Sequence, residues 1–349
     1  MNTNKIQEES IESLGEFGLI DRIAKNIKLT QKTSEMGIGD DCAILGTTEG
    51  QKKVVTTDLL LEGIHFDLTY CPLKHLGYKA VAVNLSDVYA MNARPQQITV
   101  SIGVSAKFTL KAIDDLYAGI YAAAERYGVD IVGGDTTSSL TGLTISITAI
   151  GEQEPNKIAK RNGAQAGDIV CVSGDLGAAY MGLQLLEREK RVLKDNKTTK
   201  PSLDGYAYIL ERQLKPEPRA DIVEFLDKIG VVPSSMMDIS DGLSSEMLHI
   251  CTKSGVGCRL YEEKIPVHEE TKRLCSELNI NPTVAALNGG EDYELLFCIR
   301  QADYQKFQSM PGPDIYAIGY ICDEGKGRRL ITTAGDEADL RAQGWRFFS

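Results

Sequence analysis

The chain has 349 residues, 42% hydrophobic and 25% charged, enough for two domains with cores of their own and unlike a disordered composition. Its formal charge of −11 argues against a nucleic-acid partner held through phosphate contacts. A phosphorylated substrate stays open, because bound cations reverse a local field.

The first residues, Met1 to Glu9, carry no apolar signal-peptide core, and no stretch is apolar enough to span a bilayer. A cytoplasmic protein without a membrane partner is expected. Val54-Val55-Thr56-Thr57 reads as a short buried strand ending at Asp58. From Leu76 to about Met91 the spacing turns helical, with Leu76, Ala80, Val83 and Asp87 on one face. Ile98 to Val104 alternates like a strand, and Leu110 to Tyr127 form an amphipathic helix stopped at Gly128. Val129 to Val132 is a strand running into a turn at Gly133-Gly134-Asp135, and Leu143 to Ile150 is another strand.

The polar stretch from Gly151 to Gly167 marks a domain boundary, giving domains over 1–150 and 151–349. Beyond it come a strand over Asp168 to Ser173, a helix from Ala178 to Lys190, and an exposed loop from Arg191 to Leu203. Helices and strands mix without strict alternation, so the fold class is α+β rather than a doubly wound parallel sheet. Eight cysteines are present, none in a Cys-x-x-Cys pair, and several lie in apolar runs. They read as buried, reduced thiols.

Five acidic motifs share one design, with aspartates placed where an element ends or in a Gly-rich turn. They are Gly39-Asp40-Asp41, Thr56-Thr57-Asp58, Asn84-Leu85-Ser86-Asp87, Gly133-Gly134-Asp135 and Asp238-Ile239-Ser240-Asp241-Gly242. Glycine lets backbone approach a ligand, and Ser or Thr adds neutral oxygens beside the carboxylates. Magnesium wants such an all-oxygen set, completed by water and substrate phosphate. Asp87 is the most telling member, since apolar Val83 and Ala80 share its face and a buried lone carboxylate is costly. Taken singly, each aspartate also reads as a cap or turn residue, with Asp238 and Asp241 candidates to cap a helix near Leu243. Taken together they point to a magnesium-dependent phosphotransferase using ATP. Neither a P-loop nor a His-Arg-Asp kinase motif occurs, so another architecture must hold the nucleotide.

Seven motifs in order carry a family resemblance: Gly37-Ile-Gly-Asp-Asp-Cys-Ala, Thr56-Thr-Asp, His65-Phe, Ala82-Val-Asn-Leu-Ser-Asp, Gly133-Gly-Asp-Thr-Thr, Asp238-Ile-Ser-Asp-Gly-Leu and Gly289-Gly-Glu-Asp-Tyr-Glu-Leu. With Gly15-Glu-Phe-Gly-Leu-Ile ahead of them, the chain resembles the thiamine-monophosphate kinase family, of the aminoimidazole-ribonucleotide-synthetase-like superfamily, from about residue 15 onward. The resemblance implies transfer of the ATP γ-phosphate to thiamine monophosphate, giving thiamine diphosphate. It implies two domains: an N-terminal mixed α/β domain binding ATP and metal and forming a dimer-interface sheet, and a C-terminal α/β domain completing the site. A homodimer with several magnesium ions per site follows from the same resemblance.

It also implies metal ligands at Asp41, Thr56, Thr57, Asp58, Asp87, Asp135, Asp238 and Asp241. Nucleotide contacts fall on Tyr117, Gly134, Asp135, Arg161 and Ser240, and substrate contacts on His65, Glu291 and Trp345. No residue is assigned as a catalytic acid, base or nucleophile. On their own chemistry several of these stay open. His65 also fits a structural histidine, Trp345 also fits core packing with Phe347 and Phe348, and either Glu291 or Asp292 is free to meet a cationic ligand or to cap a turn. Relatives that use ATP differently, such as selenophosphate synthetases and hydrogenase maturation factors, need reactive cysteines near a terminus, and none stands there.

Overall fold

In the computed structural model, residues 22–36, 44–195 and 202–343 are described. The Gly15–Ile20 and Gly37–Ala43 motifs, with Asp41 and Cys42, therefore lie outside the described residues, as do Trp345 and part of the expected loop at 196–201. The chain divides into two compact units. One takes residues up to Leu85 and Pro95–Glu152, the other Ser86–Arg94 and Gln153 onward.

The first unit begins with the antiparallel pair β1 (Ser34–Met36) and β2 (Ile44–Leu45). Its four-stranded sheet contains β3 (Lys52–Leu61), β4 (Arg94–Val104), β5 (Asp130–Ser138) and β6 (Thr144–Gln153), in the order β3-β6-β4-β5. Helix α1 (Leu73–Ala90), counted with this unit up to Leu85, is largely apolar, and from Leu76 to Ala90 every residue is buried except half-buried Asp87. Helix α2 (Leu110–Tyr127) is amphipathic, burying Leu110, Ile113, Leu116, Tyr117, Ile120, Ala123 and Ala124. Thr109 caps its start by accepting the Ala112 N–H at 3.2 Å, and Gly128 ends it in the left-handed region at φ 63°.

Two expectations need correction here. The strand around Thr56 does not end at Asp58, because β3 runs on to Leu61, so the Thr-Thr-Asp triplet sits mid-strand. Nor is Gly133-Gly134-Asp135 a turn. These residues continue β5, which pairs in parallel with β4 from Gln97↔Asp130 to Val104↔Ser138. Glycine in a strand marks close backbone approach as readily as a turn.

The second unit is built on seven strands: β7 (Ile169–Ser173), β8 (Ser235–Asp238), β9 (Val256–Tyr261), β10 (Leu295–Ile299), β11 (Ile315–Asp323), β12 (Arg328–Ile331) and β13 (Glu337–Asp339). They lie in the order β13-β12-β9-β11-β7-β10-β8, antiparallel except where β12 meets β9. A mostly antiparallel sheet with helices inserted at intervals is the α+β arrangement expected. The helices are α3 (Ala178–Asp195), α4 (Ala207–Leu214), α5 (Ala220–Lys228), α6 (Leu243–Ser254), α7 (Glu269–Leu278), α8 (Pro282–Asn288) and α9 (Gln301–Ser309).

Val170, Val172, Leu296, Cys298, Ile318 and Ile321 on the sheet pack with Met247 and Ile250 of α6 in the main core. A second cluster gathers Met181, Leu185, Ile209, Leu274 and Ala285 from α3, α4, α7 and α8. Helix α3 extends five residues past its expected end, so Arg191–Asp195 are helical rather than loop. Arg191 and Lys194 suit a helix C-terminus, where cations meet the dipole's negative end. The seven described cysteines are all buried free thiols, as their apolar neighbours suggested.

Candidate active site

In the first unit the period-two alternation of β3 sorts its polar residues onto two faces. Thr56 and Asp58 are half-buried on one face, while Val55, Thr57 and Leu59 are exposed on the other. The Thr57 hydroxyl donates to the Ile147 carbonyl and accepts from the Thr148 hydroxyl, each at 3.1 Å. The structure thus sets the Thr57 side chain apart from Thr56 and Asp58, and its peptide carbonyl is the other oxygen it has to offer. The Asp58 N–H donates to Asn84 Oδ1 at 3.0 Å, and Asn84 donates back along α1 to the Ala80 carbonyl at 2.9 Å. Asn84, fully buried, is thereby the bracket that fixes Asp58 against α1.

Gly134 and Asp135 are exposed on β5, opposite Val100 and Ser101. A Cβ at Gly134 would stand 1.9 Å from the Val100 carbonyl oxygen, so no other residue fits that register. His65 is half-buried, and its Nδ1 accepts the Leu61 N–H at 3.0 Å. That bond leaves the neutral ring's proton on Nε2, a donor suited to an anionic oxygen. Tyr117 is buried on α2, its ring 5.7 Å from that of Tyr121, and burial pushes its phenol far up. Both tyrosines line a cavity of about 390 Å³ with Arg22, Asn26 and Asp114. Arg22 and Asp114 pair at 2.6 Å in its lining.

In the second unit two distant motifs are joined edge to edge. β8 pairs with β10 through Leu295↔Asp238, and the ladder continues beyond the strands. Ile239 N–H donates to the Glu294 carbonyl at 2.7 Å, Tyr293 N–H to Ile239 at 2.9 Å, and Glu291 N–H to Ser240 at 2.7 Å. Glycines permit the approach: a Cβ at Gly290 would meet the Ser240 carbonyl at 2.5 Å, and one at Gly242 the Leu287 carbonyl at 2.8 Å. Gly242 starts α6 with no side-chain cap, so neither Asp238 nor Asp241 is spent capping that helix.

Asp238 is 3% exposed and accepts from the Ser86 hydroxyl at 2.7 Å, across 152 positions of sequence. The residue after Ser86 is Asp87, so the helix motif and the Asp-Ile-Ser-Asp loop meet within this unit. Burial raises the Asp241 carboxyl above its ordinary range, with His249 pulling it down.

Glu246 is a buried acid that sequence reasoning missed. One oxygen accepts the Asp241 N–H at 3.0 Å, and burial pushes its carboxyl up to about 8. Its position in the first turns of α6 was the available signal, since acids there commonly reach back to loop amides.

Glu291 and Asp292 are told apart by backbone conformation. Gly290, Glu291 and Tyr293 all lie in the left-handed region, at φ 71°, 57° and 52°. Asp292 turns inward and accepts the Gly177 and Ala179 N–H groups at 2.7 and 3.3 Å, at the start of α3. Anions are favoured at a helix N-terminus, so Asp292 is a structural cap and Glu291 stays half-buried with its carboxylate toward Gln213 at 2.8 Å. Arg161 is exposed and its carbonyl accepts from the Ser235 hydroxyl at 3.0 Å. It therefore stands at the opposite end of β8 from Asp238, about 10 Å along the strand.

Among the described residues, no three His, Cys, Asp or Glu side chains form a group able to hold a metal ion by themselves. The donors are nonetheless all oxygens, in the chemistry that magnesium prefers when phosphate and water complete its shell. No helix among the described residues is long and apolar enough to cross a membrane.

Residues 39–153 match the family described as AIR synthase related protein, N-terminal domain, and residues 165–331 its C-terminal domain counterpart. The chain is 34% identical to a thiamine-monophosphate kinase of Aquifex aeolicus, over 97% of this chain and 99% of the relative. A Bacillus subtilis thiamine-monophosphate kinase is 32% identical, with 96% and 100% covered. Among solved structures, AaThiL complexed with AMPPCP and TMP superimposes with a TM-score of 0.73 at 34% identity, covering 97% of this chain and 98% of the other.

Proposed function

This chain belongs to the thiamine-monophosphate kinase family, and from that premise we propose how its own residues carry out the family's reaction. The protein phosphorylates thiamine monophosphate to thiamine diphosphate with ATP as donor. The acceptor is itself a phosphate oxygen, ionised at neutral pH, so no strong general base is needed. Alignment and charge neutralisation are what two polyanions require, and direct in-line transfer without a phosphoenzyme meets that requirement.

Asp58, Thr56, the Thr57 carbonyl and Asp135 in the first unit, and Asp87, Asp238 and Asp241 in the second, are the candidate magnesium ligands, with Asp41 of the undescribed segment. Magnesium, when bound, neutralises phosphate charge and polarises the transferring group. Each ion needs only one or two protein carboxylates when triphosphate oxygens and water supply the rest. Asn84 and Ser86 orient Asp58 and Asp238, so α1 supplies both a ligand and two brackets.

Tyr117, Gly134, Asp135, Arg161 and Ser240 are assigned to ATP, and Tyr117 lines a cavity of about 390 Å³. His65 would donate from Nε2 to the substrate phosphate, and Glu291 would face the cationic thiazolium, with Trp345 assigned beside it. The observation that carries this reading is the ladder holding Glu291 against Ser240, because it puts a substrate candidate beside the acidic loop. Incubating the protein with ATP, magnesium and thiamine monophosphate should yield thiamine diphosphate and ADP in equal amounts. Chelation with EDTA should abolish both and excess magnesium restore them; turnover that survives chelation would remove magnesium from the reaction.

The protein is further proposed to act as a cytoplasmic homodimer joined through the first unit. Support comes from β3, an edge strand whose outer face exposes Val55 (65%) and Leu59 (52%). Apolar residues on an exposed edge are a liability unless covered. Replacing both by lysine should halve the sedimenting mass at micromolar concentration, whereas an unchanged mass would move the interface elsewhere.

A further inference from the structure

We propose that Glu246 is a positioning residue for Asp241, holding the Asp241 backbone from the buried side so that its carboxylate meets a cation at a fixed place. The inference rests on the reading of Asp241 as a magnesium ligand. It gives a role to a buried acid that phosphoryl transfer itself does not use.

The loop that carries Asp241 is tied down by two different means. Along one edge the ties are backbone bonds: Ile239 N–H donates to the Glu294 carbonyl, and the Ile239 and Ser240 carbonyls accept from Tyr293 and Glu291 at 2.9 and 2.7 Å. That ladder reaches Ser240, one residue short of Asp241. At Asp241 a side chain takes over, and Glu246 Oε1 accepts the Asp241 N–H at 3.0 Å. Glu246 is 1% exposed.

This contact differs from ordinary helix capping in its target. In a capping box the acid at the third helical position reaches back to the amide of the N-cap itself. Here Gly242 is the N-cap, at φ 118°, and Leu243 is the first helical residue, so Glu246 is the fourth. It reaches past the cap to the residue before it. The start of α6 is meanwhile served by backbone alone, since the Gly242 carbonyl accepts the Ser245 and Glu246 N–H groups at 2.9 and 3.4 Å. The hydrogen bond of Glu246 is therefore directed to the loop.

The same helix buries Leu243, Met247 and Ile250, surroundings in which a carboxyl group is costly. Its effect there is directional. With Gly242 wedged against Leu287 and the Asp241 amide held from within, the half-buried Asp241 side chain leaves the backbone from a fixed point. Groups that orient a metal ligand commonly govern metal affinity by about 10–100-fold.

The test measures the free magnesium needed for half-maximal effect, in two ways. One is the rate of ADP release at fixed ATP and thiamine monophosphate. The other is the rise in thermal midpoint that magnesium produces with a non-hydrolysable ATP analogue, which needs no turnover. Glu246→Met keeps side-chain length and removes the acceptor, and it should raise both magnesium requirements about tenfold. Glu246→Gln keeps an oxygen that can accept the Asp241 N–H, and it should stay within about twofold of the parent. In an Asp241→Asn background, Glu246→Met should add no more than about twofold, because the ligand it positions is already altered.

An unchanged magnesium requirement in folded Glu246→Met would overturn the inference. So would Glu246→Gln as impaired as Glu246→Met, which would make charge rather than position the cause, or full additivity with Asp241→Asn. If Asp241→Asn alone leaves the requirement unchanged, the reading of Asp241 as a ligand fails and takes the inference with it. The midpoint without magnesium reports any loss of fold separately. Should Glu246→Met not fold, Glu246→Asp, one methylene shorter, should raise the requirement at least about threefold, and an unchanged value there counts equally against the proposal.

Discussion

Asp87→Asn is expected to lower turnover about 10³-fold, the scale seen when one preorganised charge-stabilising group is removed, while the folded protein remains. Residues Leu76 to Ala90 of α1 are otherwise buried, and Asp87 alone among them keeps a partly open side chain. A carboxylate in such surroundings is costly unless something compensates its charge, and a cation bound with substrate would do so. Asparagine matches its shape, so helix packing and the neighbouring Ser86–Asp238 hydrogen bond should survive. On the proposed reading, what disappears is one negative charge among the magnesium ligands. The variant should also need more magnesium for half-maximal rate. Measuring ADP release across a magnesium titration, together with a thermal midpoint, checks both effects. Near-normal turnover at ordinary magnesium would end the case for Asp87 as a ligand.

How legible the site was in the sequence depended on the kind of element involved. Helix α2 could be read at both ends, because Thr109 and Gly128 are local signals that act within a turn of where they stand. The burial of α1 and the odd position of Asp87 within it were also readable from spacing, though the aspartate proved half-open rather than buried. Strand β3 reads as shorter than it is because Val-Val-Thr-Thr looks like a buried run, while its outward residues are exposed and the strand continues to Leu61. In the sequence Gly133-Gly134 reads as a turn, because glycine usually marks one. At Gly134 it is the neighbouring strand, whose Val100 carbonyl leaves no room for a Cβ, that explains the glycine. The roles of Glu291 and Asp292 could not be separated from adjacent letters, since what separates them is a run of left-handed backbone fixed by contacts from elsewhere in the fold. Glu246 escaped notice because it belongs to a helix and acts on a loop.

The second large effect concerns stability. Arg212→Met should cost about 3 kcal/mol, at the lower end of what breaking a buried ion pair costs, because Glu294 keeps Arg219 and the Ser173 hydroxyl. The Arg212 side chain is 19% exposed, Glu294 1% and Asp292 fully buried, so solvent compensates little of the loss. Asp292 gives this deficit a pH dependence whose sign can be worked out. Burial pushes its carboxyl up to about 7, and Arg212 is the largest influence pulling it back down. The folded state therefore holds a proton that the unfolded chain has released between about pH 4 and pH 7, and Asp292's contribution to stability falls as pH rises through that window. Without Arg212 the folded carboxyl rises further, so the fall continues to higher pH. The stability lost in Arg212→Met should accordingly be smaller at about pH 5, where Asp292 is protonated with or without its cation, than at about pH 8. Adding Asp292→Asn, whose amide oxygen can still accept the Gly177 N–H, should remove most of that difference and make the two substitutions less than additive. Urea denaturation at both pH values measures the deficit directly, and equal losses at each would mean that Arg212 acts through Glu294 alone.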